Sequence, residues 1–501
     1  MRRFTMGLLL ALGAALTVLS CGGGGGGGTP PPVPAVTAVN GGLAGSGTVG
    51  SLFVIDGSGF GALSAATGGY SVDFRDSATD AVVATAAVNY AAGDWSDVFI
   101  KGTVPNGLTA STTYKVTVTT AGGTSNAADF LVVASVAFSP STITWSASTA
   151  SLPAALSGFP AVISLLTSTS TNTSYLYVLG GNTATTTTAN GKASNVDSVY
   201  VARLDNTTGS IADASWTATA SLPGKRGFSA AVSVNKFNSL AMGNGHVYLI
   251  GGLDDQGNAT ATVYHAAVND DGTLGSWAAA TDLPQALFAH GAVVFRNRIY
   301  VAGGNDASGN PVKTVYAAAI KFDGTLGSWT ALPDLPDARA YHQIVTVAGY
   351  LYVIGGDNAA ADPVAKTAGS SADTIYYNQI NLANGSLLSA AWSSNATGMG
   401  KAREKFTAVV AGSDIVVTGG LYTGQPGNAE SRYAQINSDG SVGSFNGATG
   451  TNTINSLNGF NPYNQATTFF ADESGKPHIL ILGGIDAVSG ISNAGVFTST
   501  Q

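Results

Sequence analysis

Cysteine is almost missing from this chain: its 501 residues include one, Cys21, at the end of an N-terminal apolar stretch. That excludes a disulfide scaffold, a cysteine-ligated zinc or iron–sulfur site, and a thiol nucleophile in the folded body. Charge is also scarce. Asp, Glu, Lys and Arg together make 10% of the residues, where about 25% is usual. Glu404, Glu430 and Glu473 are the only glutamates, and the net charge of −8 supplies no basic field for nucleic acid. The histidines are His246, His265, His290, His342 and His478. None stand in the close sequence pairs of metal-binding helices or ribbons, so no metal and no cofactor is expected. What the chain does hold is glycine, 66 residues, about twice the usual share. With 45% apolar residues, many Val, Ile and Tyr, and abundant Thr and Ser, the composition favours strands.

The first twenty residues read as an address. Arg2 and Arg3 precede a short apolar stretch from Met6 to Leu19, too short for a final bilayer-spanning helix, which needs about 20 residues. It reads as a secretory signal over 1–20. Its end, Val18-Leu19-Ser20-Cys21, resembles a bacterial lipobox, although Leu19 is an unusual occupant. The resemblance implies lipidation of Cys21 and a membrane as partner. Gly22 follows, not Asp, which in a two-membrane bacterium implies the outer membrane or cell surface. Residues 21–34 then read as a tether, flexible through Gly22 to Gly28 and stiff through Pro30-Pro31-Pro32-Val33-Pro34.

Residues 35–134 show short alternating segments separated by glycine turns. Phe53 to Gly61 is a strand running into Gly-Ser-Gly-Phe-Gly, and Gly122-Gly123-Thr124-Ser125-Asn126 leads to Phe130. These features resemble an IPT/TIG domain, which implies an immunoglobulin-like sandwich acting as spacer or binding module. Trp95 is read as a core residue before a sugar-stacking one.

From 138 to 501 the chain repeats. Six apolar segments end in a glycine pair, at Gly180-Gly181, Gly251-Gly252, Gly303-Gly304, Gly355-Gly356, Gly419-Gly420 and Gly483-Gly484. The second glycines are 71, 52, 52, 64 and 64 residues apart. A period near 50 with insertions is that of kelch repeats. In phase with it run a lead-in such as Asp334 to His342, an aromatic at Tyr200, Tyr264, Tyr316, Tyr376, Tyr433 and Phe497, and a tryptophan at Trp216, Trp277, Trp329 and Trp392, replaced by Phe445 in the fifth unit. The region resembles a kelch β-propeller of six blades, each of four strands. The sixth unit stops one strand short, and the missing strand stands before the first, as Ser141 to Trp145. The fold class expected is therefore all-β: a sandwich followed by a six-bladed propeller closed by an N-terminal strand.

Chemistry is harder to place. A copper-radical oxidase of the galactose-oxidase kind combines the same modules, but needs a cysteine cross-linked to tyrosine, and Cys21 is committed elsewhere. His290 and His342 are 52 apart and hold equivalent positions, either bonded within their blades or facing one channel mouth. Lys401, Arg403, Glu404 and Lys405 form the densest charge cluster, and Arg226 and Arg339 stand at corresponding places. Either these are repeat arginines paired to neighbouring turns, or, with Phe228, Tyr341 and Asp357, they line a shallow basic–aromatic mouth for an anionic or neutral sugar. The expected function is a cell-surface lipoprotein presenting a propeller to a protein or polysaccharide. The alternative is a carbohydrate-active enzyme such as a sialic acid mutarotase, with no catalytic residue assignable by spacing.

Overall fold

The computed structural model describes residues 31–132 and 144–500, apart from 40–43, 48, 50–51, 64–67, 89–94, 168–171, 184–193, 236–244, 322, 348, 360–369, 382–383, 396, 412–413, 423–429, 438, 448–461, 472–476 and 487–491. The signal, Cys21, most of the tether and residues 138–143 lie outside the described residues. No α-helix occurs among those described.

Two sheets form the N-terminal unit. One orders Ala35–Val39, Leu52–Ser58 and Phe99–Thr103; the other runs from Ala44–Gly47 through Ala128–Val132, Thr112–Thr120 and Ser71–Asp76 to Val82–Thr85. They enclose one core in which Phe53, Phe74 and Phe130 meet edge to face. Trp95 is buried in that core and donates from Nε1 to the Phe60 carbonyl at 3.1 Å. Its ring is packed inward, away from any sugar.

Six antiparallel four-stranded sheets follow, an arrangement that fits a propeller. The third shows the common plan: Gly291–Phe295, Arg298–Ala302, Val315–Ala319 and Thr330–Leu332, in that spatial order. Second strands are covered on both faces by neighbouring sheets, which is why they are apolar without alternation. Every residue of Gly245–Ile250 is buried. The sixth sheet is built from both ends of the repeat region. Thr144–Ala147 pairs antiparallel with Val496–Thr500, Trp145 opposite Ser499, and supplies the missing fourth strand.

Recurrent side-chain bonds tie each sheet to the next. The hydroxyls of Tyr177, Tyr248, Tyr300 and Tyr352 donate to the carbonyls of Gly272, Gly324, Gly385 and Gly440, turn residues of the following sheet, at 2.7–2.9 Å. In the opposite direction, Trp277, Trp329 and Trp392 donate from Nε1 to the carbonyls of Ala220, Thr281 and Pro333 in the preceding sheet.

The backbone carries one bond that recurs in all six sheets. Gly158, Phe228, Ala289, Tyr341, Lys405 and Asn464 precede the starts of the six first strands by two or three residues, and all have φ between 52° and 58°. Each donates its N–H to the carbonyl of the equivalent residue one sheet back, and Gly158 completes the cycle by donating to Asn464, at 2.6–3.1 Å throughout. Six sheets are thus linked by one ring of hydrogen bonds. The N-terminal unit meets the opposite end of the sheets. Asp56 is ion-paired with Arg296, whose guanidinium also lies over Phe99, and Lys101 lies over Tyr350.

Candidate functional site

The ring sits at the glycine-pair end of the sheets, where the sequence places its candidates. Two residues before the ring positions come Arg226, Arg339 and Arg403, with Leu156, Leu287 and Pro462 in the other three sheets. The carbonyls of these arginines accept the N–H of the second glycine of the preceding pair, Gly181, Gly304 and Gly356. Their guanidiniums turn inward over aromatic rings: Arg226 over Tyr264, Arg339 over Tyr376 and Arg403 over Tyr422, at 4.8–5.7 Å. Arg226 also donates to Thr262, and Arg403 to the Gly419 carbonyl. Tyr376 donates to Asp337 at 2.6 Å, which holds that carboxylate below its ordinary range. Burial and then this bond push the Tyr376 phenol up to about 12.

At the ring itself, Phe228 and Tyr341 join Leu253, Phe288 and Ala340 in an apolar cluster. The Lys405 ammonium lies 5.0 Å from the Tyr341 ring and 3.5 Å from Glu404 Oε1, and the Ser371 hydroxyl donates to Glu404 Oε2 at 3.4 Å. Asp357 follows the fourth glycine pair and accepts the N–H groups of Ala359 and Ser370 on one oxygen. It therefore clamps the two ends of the intervening segment. His290 and His342 do occupy equivalent places. Each imidazole lies against the first glycine of the preceding pair, Gly251 or Gly303, where a β-carbon would come within 2.9 or 2.7 Å of Cε1. The same place is held by Phe159 and Phe406 in other sheets. Burial lowers the two histidines to about 4 and about 3, so both are neutral packing groups.

All ten predicted residues are brought to one end, and all ten are buried; Arg403 and Glu404 expose 0% of their surface. They do not make the shallow open mouth that exposure of a charge cluster would require. Their charge is spent inside: a lysine on a glutamate and a tyrosine, arginines on aromatic faces and carbonyls. No group of three or more His, Cys, Asp or Glu converges to hold a metal among the described residues.

Two features escaped the sequence. The left-handed ring positions carry six different residues and so share no letter. His246 and His265, 19 residues apart, come together on adjacent strands with Nδ1 atoms 3.2 Å apart; only the strand register, Tyr248 opposite His265, reveals this.

Comparison with known proteins bears on the repeats. The Kelch motif matches residues 286–336, which is one full unit from the third lead-in to the fourth. Beta-scruin of Limulus polyphemus is 28% identical over 126 residues, 24% of this chain and 13% of that protein. Kelch-like protein 13 of Homo sapiens is 29% identical over 86 residues, 17% of this chain and 13% of its own length. The chain thus spans about an eighth of the length of these relatives. These matches support a kelch-repeat domain in this chain.

Proposed function

We propose that this chain is an exported bacterial lipoprotein, anchored through Cys21 to the outer membrane or cell surface, in which an immunoglobulin-like IPT/TIG unit presents a closed six-bladed kelch propeller to a protein partner. One observation carries the binding reading: the charge of the ring end is committed inward, and the connections that follow the glycine pairs differ in length from unit to unit. Charged residues there are committed inward, and the sequence between the glycine pair and the third strand is longer in the first and fourth units, Gly181 to Val199 and Gly356 to Ile375, than in the third, Gly304 to Val315. Thr183 pairs with Ser194, and Asn358 with Ser370, within those two longer connections. Variable connections on a rigid scaffold are where recognition resides. The contacts of Asp56, Phe99 and Lys101 with the opposite end support a presentation in which the ring end faces away from the tether. A polysaccharide partner and a sugar-isomerising activity are less well supported, because Arg226, Arg339 and Arg403, which a carboxylated sugar would need, are taken up by Tyr264, Tyr376 and Tyr422.

The test uses the full chain in cells. Residues 360–369 are replaced by a turn of the length found at Asp306–Asn310, and cross-linked partners are compared with wild type. Loss of a specific protein adduct at unchanged thermal stability is expected. Adducts indifferent to shortening every such segment would contradict the reading. In the same fractionation, Cys21→Ser is expected to leave the membrane fraction, and its retention there would contradict lipid anchoring.

A further inference from the structure

His246 opens the second strand of the second sheet, Gly245–Ile250, and His265 lies in its third, Val263–Ala267. The two imidazoles are at the end remote from the ring, outside the site already described. Their Nδ1 atoms are 3.2 Å apart, with ring planes inclined by 32°. Two nitrogens bound to one tetrahedral zinc at about 2.0–2.1 Å stand close to that distance from each other. Both side chains are more than nine-tenths buried, so their rotamers are held. Tyr248 stacks on His265 at 5.8 Å and is itself fixed by its bond to the Gly324 carbonyl. Gly324, with φ +79°, lies against the His246 ring, where a β-carbon would collide with it. Beside it Asp323, on an exposed turn, places a carboxylate whose charge both imidazoles feel. The equivalent of His246 in the first and fourth sheets is a tyrosine, Tyr175 or Tyr350, packed on the corresponding turn glycine. In the third and sixth sheets the same place holds Arg298, on Gly385, and His478, on Gly209, so packing on the turn glycine does not itself require a histidine, and in the second sheet a second imidazole joins it.

We propose that His246 and His265 form a bidentate site for a borderline divalent transition ion, Zn²⁺, Ni²⁺ or Cu²⁺, completed by water and by the negative field of Asp323. Imidazole nitrogens select these ions over calcium or magnesium. In the metal-free pair one Nδ1–H donates to the other Nδ1. On binding, that donor carries its proton on Nε2 instead, so both Nδ1 lone pairs face the metal and no net proton is released from the neutral pair.

The experiment titrates Zn²⁺, Ni²⁺ and Mg²⁺ separately into the full chain, prepared without a polyhistidine tag. Calorimetry and thermal unfolding read binding, and NMR reads the imidazole nitrogens. Saturable 1:1 binding of Zn²⁺ or Ni²⁺ with a raised Tm, and none of Mg²⁺, is expected. His246→Tyr, which copies the first and fourth sheets, and His265→Ala should each weaken binding by more than about tenfold while the metal-free protein stays folded. Absence of saturable binding, or binding that both variants retain, overturns the site and leaves a hydrogen-bonded structural pair. Should one variant fail to fold, imidazole ¹⁵N shifts of the wild type on zinc addition decide: unmoved Nδ1 resonances of both histidines overturn the proposal.

Discussion

His290 and His342 show how a single residue can be polar in the sequence and apolar in its work. Each fills the space a phenylalanine fills at Phe159 and Phe406, against a glycine that leaves room for a ring. The consequence is a pH dependence. Their folded-state values, about 4 and about 3, lie below the ordinary value near 6.5. The unfolded chain therefore binds protons that the folded chain refuses. Stability contributed by these neutral rings is fully present above pH 6.5 and is lost as pH falls from there toward 4 and below. The slope is about 1.4 kcal/mol per pH unit for each histidine. His342→Phe should leave stability at pH 7.5 little changed and flatten the fall between pH 6 and 4.5, measured by urea unfolding across that range. An unaltered slope would show that other groups drive acid unfolding. The charge cluster at 403–405 teaches the converse. A run of charges in a sequence poor in charge reads as a solvated face, yet Glu404, Lys405 and Arg403 are enclosed, because their partners Ser371, Tyr341 and Tyr422 come from elsewhere in the chain.

Elements were far more legible than contacts. Glycine pairs, third-strand aromatics and tryptophans recur with the period, and each has a packing reason that acts wherever the unit occurs. The second-strand tyrosines are an example. Tyr300 reaches across to the Gly385 carbonyl at 2.9 Å, and both atoms are buried between sheets. Tyr300→Phe removes the donor and leaves that carbonyl unpaired, which should cost about 1–3 kcal/mol with an unchanged denaturant slope. No loss would mean that the carbonyl finds another donor. The fifth and sixth sheets carry Val416 and Leu480 in the tyrosine's place, so this link is not made at their junctions, while His478 covers Gly209 as His246 covers Gly324. The ring positions were illegible for a physical reason. Gly, Phe, Ala, Tyr, Lys and Asn adopt one left-handed conformation there. For the four without special tolerance of that region, propensity opposes it. The cycle of backbone bonds imposes it, and a constraint arising only when six units meet leaves no mark on any one of them.

At the scale of the molecule, the two ends of the repeat region are joined twice, by the ring bond from Gly158 to Asn464 and by the pairing of Thr144–Ala147 with Val496–Thr500. The second join places Trp145 in a cluster with Val409, Ile481 and Phe497, spanning the fifth and sixth sheets. Radially stacked sheets need this, since an open sixth sheet would expose both an unpaired edge and an apolar face. The proposed binding role depends on such closure, since connections that recognise a partner need a rigid scaffold. The direct measurement is thermal unfolding of the full chain beside a chain lacking residues 138–147. A closed ring predicts a large fall in Tm with loss of a single cooperative transition, out of proportion to ten residues. An unchanged Tm and transition would contradict closure by the N-terminal strand.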